Sequence, residues 1–198
     1  MIRPYPEVSN IMPQFDKLLV LDLDETLIYS TETRLDRAPD FAVGKYFTYK
    51  RPHLDDFLED CLTFFKVGVW TSASEDYATG VINNIFKDKS KLEFVWTCIR
   101  CTQKYYRESD SYDLIKDFKK LKKQGYPIEK IIMVDDSREK VQRNYGNAVI
   151  IKGYTGERED DELPVLLEYL KSIGLVENVR TINKEKWRRS TEKAPQSI

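Results

Sequence analysis

The stretch Lys17-Leu-Leu-Val-Leu-Asp22-Leu-Asp24-Glu25-Thr26-Leu27 decides the fold. Its apolar residues barely alternate with polar ones, the pattern of a strand buried on both faces of a parallel sheet. The run then breaks into acids. Ligands of such sheets sit beyond the carboxyl ends of the strands, so Asp22 and Asp24 stand where chemistry is expected. Residues i and i+2 of an extended chain point the same way, and both carboxylates can therefore face one site.

Working outward, the same design recurs. Val67-Gly-Val-Trp-Thr71 reads as a second buried strand that runs into Thr71-Ser72, and Ile131-Ile-Met-Val-Asp135 as a third that runs into Asp135-Asp136-Ser137. Ala148 to Ile151 supplies a fourth. Helices are predicted between them. Pro52 to Phe65 places Leu54, Phe57, Leu58, Cys61, Leu62 and Phe65 on one face. Ser74 to Ile85 follows, with Ser72 or Ser74 as its N-cap. Tyr112 to Lys123 turns Leu114, Ile115, Phe118 and Leu121 inward and is stopped by Gly125 and Pro127. Asp161 to Ile173 closes the domain, with Pro164 tolerated in its first turn. Tyr29 to Asp40 reads as loop, Phe47 to Tyr49 as a short strand, and 87–111 as a less regular insertion holding a strand-like Leu92 to Cys98.

Strands alternating with helices predict an α/β fold, a mostly parallel central sheet with helices on both faces. Residues 1–13, with Pro4, Pro6 and Pro13, are expected to be an irregular extension. Residues 14–174 form the domain. Residues 175–198 read as a basic tail, solvated and partly helical, through Arg180, Lys184, Lys186, Arg188, Arg189 and Lys193.

Composition excludes several classes. Lys+Arg 32 against Asp+Glu 33 leaves a net charge of -1 over 198 residues, so bulk charge does not hold the chain to nucleic acid. No apolar run approaches the ~20 residues that cross a bilayer, and the first residues lack a signal-peptide pattern. Three cysteines are too few for a disulfide scaffold. An intracellular protein is expected, cytoplasmic or, in a eukaryote, nuclear, without membrane or nucleic-acid partners. The single histidine, His53, sits at the start of a helix and reads as a surface residue. A Ser–His or Cys–His hydrolase is thereby disfavoured. Cys98-Ile-Arg-Cys101 is half of a zinc spacing with no second half.

If the three strands are neighbours, Asp22, Asp24, Asp135 and Asp136 meet with two hydroxyls at one edge. Two carboxylates ~4 Å apart repel by about 4 kcal/mol at an effective dielectric near 20. Such a cluster stays ionised only around a cation or a buried lysine, or else holds a proton. An all-oxygen ligand set suits Mg²⁺. A cation ringed by carboxylates and hydroxyls fits phosphoryl transfer, in which negative charge spreads over three equatorial oxygens. One carboxylate can attack phosphorus while a second carries the proton.

These motifs resemble the haloacid dehalogenase superfamily, and within it the branch of small C-terminal-domain phosphatases and NLI-interacting-factor-like proteins. The likeness rests on Asp22-Leu-Asp24-Glu25-Thr26-Leu27, Arg51-Pro-His-Leu-Asp-Asp-Phe57-Leu, Trp70-Thr71-Ser72-Ala73-Ser74 with Tyr77-Ala78, Leu114-Ile-Lys116-Asp117-Phe118 and Val134-Asp135-Asp136-Ser137. It covers about Phe15 to Gly174 and implies a Rossmann-like fold with a small insertion between motifs two and three.

The resemblance also implies roles. Asp22 would be the nucleophile and Asp24 the general acid and base. Thr71, Ser72 and Lys116 would bind the phosphoryl group. Asp22, Asp24 (through its backbone carbonyl) and Asp136 would hold Mg²⁺. Asp135 would orient Lys116 or a metal-bound water, and Thr26 would steady the loop. By helical spacing alone Lys116 lies with Lys119, Lys120 and Lys123 on an exposed face; the motif instead gives it a catalytic place, reached from the first turn of its helix. The branch often has Asp-Asn-Ser-Pro where this chain has Asp135-Asp136-Ser137-Arg138. The implied activity is an Mg²⁺-dependent protein phosphoserine/phosphothreonine phosphatase acting through an aspartyl-phosphate. A phosphatase of small phosphate esters or nucleic-acid 3′ ends, or a silent phosphoprotein-binding module, are the alternatives. Tyr105 and Tyr106 with Lys104, Arg107 and Arg100 could form a lip over the site.

Overall fold

The computed structural model of the chain describes residues 13–108 and 110–191. Most of the expected N-terminal extension thus lies outside the described residues. In chain order the elements are β1 (Leu18–Leu21), β2 (Ile28–Thr31), β3 (Phe41–Val43), β4 (Tyr46–Lys50), α1 (Leu54–Phe64), β5 (Lys66–Trp70), α2 (Glu75–Ile85), β6 (Leu92–Trp96), β7 (Thr102–Tyr106), β8 (Ser111–Ile115), α3 (Lys119–Lys123), β9 (Ile131–Asp135), β10 (Ala148–Ile150), α4 (Glu162–Gly174) and α5 (Trp187–Thr191).

Five strands form the main sheet in the order β10-β9-β1-β5-β6, and every pair is parallel. The first strand is central and buried throughout, as its unbroken apolar run requires. Its side chains feed two cores by strict alternation. Leu19 and Leu21 join Val67, Val69, Ile132 and Val134 beneath α1, α2 and α4. Leu18 and Val20 join Trp70, Ile131 and Met133 on the opposite face, under Phe118, Leu121 and Val141. Three longer helices therefore cover one face, and the short α3 with surrounding loops covers the other. Gly68 in β5 permits close packing across the sheet, because a Cβ there would come 2.5 Å from the Phe94 ring of β6. Among the described residues no helix is long and apolar enough to cross a membrane.

Four local expectations are corrected. The loop expected over Tyr29 to Asp40 begins as strand β2, which with β4 and β3 forms a three-stranded antiparallel sheet. The strand-like Leu92 to Cys98 is β6, an edge of the main sheet, so the insertion starts after it. The helix expected from Tyr112 to Lys123 is instead strand β8, a connection, and the five-residue α3. β8 pairs antiparallel with β7 over its whole length, and the Asp117 carboxylate accepts from the Lys119 amide at 3.0 Å, so the helix starts only there. The three-four spacing of Leu114, Ile115, Phe118 and Leu121 spans two different elements.

The fourth concerns the tail. Its described part folds back onto the domain rather than extending into solvent. Val179, Lys184 and Trp187 are buried, and the Trp187 indole donates to the Ile150 carbonyl at 2.8 Å. Lys184 donates to the carbonyls of Gly146 (2.8 Å), Ile182 (3.1 Å) and Val179. Arg188 pairs with Asp161 at 2.6 Å and with Glu162. Two of the basic residues that suggested solvation, Lys184 and Arg188, thus find carbonyl and carboxylate partners.

Candidate active site

The register of the sheet builds the site. Leu21 lies opposite Val69 of β5 and Val134 of β9. Asp22 and Asp135 therefore stand level at the carboxyl edge, with Asp136 one residue beyond, and Thr71 leaves the neighbouring strand just past them. The Asp22 amide donates to the Val134 carbonyl at 3.1 Å, which extends the pairing through the acid itself.

A sharp turn follows. Glu25 adopts φ 57, a left-handed conformation uncommon for a side-chain-bearing residue. Its amide donates to the Ile28 carbonyl at 2.8 Å, and its carbonyl accepts from the Tyr154 amide at 2.7 Å. The isolated bridge between Asp24 and Ile28 uses the Leu23 carbonyl and the Glu25 amide, so neither of its bonds engages the Asp24 carbonyl. Behind the turn lies Arg51, one of the largest fully buried side chains. It makes a bidentate pair with Asp160 (2.8 and 2.9 Å) and donates to the carbonyls of Thr26 and Lys152, both at 3.0 Å. One guanidinium thereby ties the turn after β1 to the segment after β10.

Lys116 is fully buried and not helical; its ammonium donates to Asp22 Oδ1 at 2.6 Å and to Asp135 Oδ2 at 2.7 Å. Burial opposes its charge, but the carboxylates of Asp135 and Asp22 outweigh that and raise its pKa. Asp135 is itself raised by burial, with Lys116 pulling the other way, and its Oδ1 accepts from the Ser137 amide at 2.9 Å. Thr26 reaches Asp22 Oδ2 at a long 3.5 Å. Thr71 is buried, and its hydroxyl accepts from the Ala73 amide at 3.0 Å, shaping the turn that carries the partly exposed Ser72.

One oxygen each from Asp22, Asp135 and Asp136 lie within 4.8 Å of one another. Asp136 Oδ1 is buried without a hydrogen-bond partner among the described residues. An orphaned buried carboxylate oxygen beside two further carboxylates fits a hard divalent cation such as Mg²⁺. Burial, and the negative charge of Asp22 nearby, raise the Asp136 carboxyl, against the pull of Lys140. The grouping contains both carboxylates of the ligand set that the motifs imply, Asp22 and Asp136. Asp135 joins Asp22 and Asp136 in it, while the Asp24 carboxyl, which was expected to carry the proton and not the metal, accepts through Oδ1 from the Tyr77 hydroxyl at 2.5 Å. Burial raises the Asp24 carboxyl, and the Tyr77 hydrogen bond partly offsets that rise.

Sequence reasoning missed three contributors. Tyr77 stands in the first turn of α2, aimed at the sheet edge by the N-terminal placement of that helix. Arg51 was visible only as part of a motif, without a role. Lys140, on the turn after β9, brings its ammonium within 3.8 Å of Asp22 Oδ2, and no periodicity marks it. The cysteines of Cys98-Ile-Arg-Cys101 are free and lie outside the carboxylate cluster. Lys104, on the hairpin, donates to Gln142, whose amide in turn donates to the Tyr106 hydroxyl.

Comparison with known proteins follows the same lines. A family model described as NLI interacting factor-like phosphatase matches residues 17–180. The chain is 28% identical over 188 residues to the nuclear envelope morphology protein 1 of Schizosaccharomyces pombe, covering 90% of this chain but 37% of that protein's length. It is 28% identical over 181 residues to the CTD nuclear envelope phosphatase 1B of Danio rerio, covering 84% of this chain and 70% of that one. In three dimensions it is similar to the fission yeast RNA polymerase II CTD phosphatase Fcp1, with a TM-score of 0.58, 15% identity and coverage of 81% of this chain and 63% of that chain. That last likeness concerns the fold.

Proposed function

The chain belongs to the NLI interacting factor-like phosphatase family, and from that premise we propose that it removes phosphate from phosphoserine or phosphothreonine of a protein substrate through an aspartyl-phosphate on Asp22. The observation that carries this reading is the position of Asp22. It is buried at the tip of the central strand, bonded to Lys116 and grouped with Asp135 and Asp136.

In the proposed reaction a carboxylate oxygen of Asp22 attacks phosphorus as the ester oxygen leaves. Asp24 gives that oxygen its proton. Asp24 then takes a proton from a water that attacks the aspartyl-phosphate, which releases orthophosphate and restores Asp22. Lys116, held between Asp22 and Asp135, offers a fixed positive charge, and Thr71 and Ser72 offer hydroxyls to the phosphoryl oxygens. Tyr77 holds the Asp24 carboxyl in one orientation. Asp22, Asp136 and Asp135 would hold Mg²⁺, with the Asp24 carbonyl as a further ligand; the ion would neutralise charge on the phosphoryl oxygens.

Support for a protein substrate comes from the family and from relatives named as CTD phosphatases. An intracellular setting agrees with three free cysteines. The test is a panel of phosphopeptides, sugar phosphates and 3′-phosphorylated oligonucleotides at equal concentration with Mg²⁺. A preference for phosphopeptides of about tenfold, ~1.4 kcal/mol of transition-state discrimination, is the expected result. A comparable preference for either other class would reassign the substrate. No turnover of any of them would leave only a binding module.

A further inference from the structure

The Asp22 carboxylate faces two lysines, one on each oxygen. Lys116 takes Oδ1 at 2.6 Å, and Lys140 stands 3.8 Å from Oδ2. The two are not equivalent. Lys116 is fully enclosed and fixed by two short hydrogen bonds to carboxylates. The Lys140 side chain retains 25% of its exposure, and its distance to Asp22 is longer than a hydrogen bond. Its backbone, by contrast, is pinned. The Lys140 carbonyl accepts from the Lys116 amide at 2.7 Å, and its amide donates to the Ser137 hydroxyl at 3.4 Å. A fixed stem thus carries an ammonium with donors to spare.

The choice of oxygen matters. Because Lys116 occupies Oδ1, the oxygen left for attack is Oδ2, which among the described residues keeps the long Thr26 contact and the distant Lys140. A phosphoryl group approaching Oδ2 therefore arrives on the Lys140 side. Resting on the phosphatase reading above, we propose that Lys140 is a second phosphoryl-binding lysine, which holds a non-bridging oxygen of the group being transferred to Asp22.

Its charge state suits the task. Burial works against the ammonium, but Asp22, Asp135, Asp136 and Glu25 all face it and together raise its pKa. An ammonium is a compact point charge that adapts to a phosphoryl oxygen as geometry changes along the reaction. The competing role is that of a plain counter-charge, since carboxylates outnumber lysines in this cluster. The two roles differ in what they recognise. A phosphoryl ligand changes orthophosphate affinity; a counter-charge changes the divalent-ion requirement alone.

The experiment compares the wild-type chain with Lys140→Gln, Lys140→Met and Lys140→Arg. Calorimetric binding of orthophosphate at saturating Mg²⁺ is read beside kcat/KM on an aryl phosphate, the Mg²⁺ midpoint and Tm. The neutral variants should bind orthophosphate at least about tenfold more weakly and lose about 10- to 100-fold in kcat/KM, while Lys140→Arg recovers most of the affinity. Two neutral variants guard against a folding defect in one. Unchanged orthophosphate affinity with a shifted Mg²⁺ midpoint would overturn the proposal and leave Lys140 a counter-charge. Failure of the wild-type chain to hydrolyse any phosphate ester would instead remove the phosphatase reading, and the binding measurement would still report on Lys140.

Discussion

The ammonium of Lys116 bonds Asp22 Oδ1 at 2.6 Å across a sequence separation of 94 residues, from a position that is neither strand nor helix. A second bond to Asp135 at 2.7 Å makes this lysine the joint between the ends of β1 and β9. Removing one partner of a buried charge pair leaves the others uncompensated, at a cost of about 3–5 kcal/mol. Lys116→Met is expected to lose that much stability in urea unfolding, and Asp135→Asn added to it should restore part. Strictly additive losses in the double variant would contradict the coupling.

The Tyr77 hydroxyl sits 2.5 Å from Asp24 Oδ1. A hydrogen bond to a charged group contributes about 1.5–3 kcal/mol. Tyr77→Phe leaves the ring in place, where it meets Tyr46 edge-on at 5.6 Å. Steady-state kinetics should show kcat down by about tenfold or more, with KM nearly unchanged. A change confined to KM would mean that Tyr77 serves binding and not the orientation of Asp24.

Arg51 and Asp160 hold the turn after β1 against the segment after β10. Arg51→Met should destabilise the chain by about 3–5 kcal/mol, because the largely enclosed Asp160 carboxylate loses its bidentate cation. Burial raises the Asp160 carboxyl, but Arg51 more than reverses this, so it lies below its ordinary value of 3.8. A depressed carboxylate pKa stabilises the folded state above the unfolded pKa, and that contribution fades as pH falls through the folded one. Asp160→Asn should therefore show a shallower loss of stability below about pH 4 than the wild type. Parallel acid-unfolding curves for the two would refute this.

The folded end of the chain gives a packing prediction. Trp187 lies 4% exposed, 5.6 Å from the Tyr169 ring. Trp187→Ala should cost about 3–5 kcal/mol in urea unfolding, the usual price of emptying a buried aromatic site. A loss under about 0.5 kcal/mol, typical of surface substitutions, would show that the segment does not pack in solution.

What was legible in the sequence, and what was not, has a physical pattern. The strands at Leu18, Lys66 and Ile131 announce themselves because a strand buried on both faces has no polar alternation. Their ends announce the site, because an acid directly after such a run has nowhere else to go. Lys116 was harder. Its neighbours Leu114, Ile115, Phe118 and Leu121 imitate a helix, although β-pairing with Thr102 to Tyr106 and the turn at Asp117 break it in two. Lys140 left no trace at all, since a turn has no period, and only the fold brings it to Asp22. Trp187 was hidden by the charges around it, whose partners are distant in sequence.

The central claim is that Asp22 takes the phosphoryl group onto itself, and it is tested most directly by trapping. Asp24→Asn should still react with an aryl phosphate, whose leaving oxygen needs little protonation, but should be slow to activate the water that follows. Acid quench of that variant with Mg²⁺, then peptide mass mapping, should place one phosphoryl group on Asp22, and chelator should abolish it. A phosphoryl group on another residue, or turnover retained by Asp22→Asn, would contradict the account.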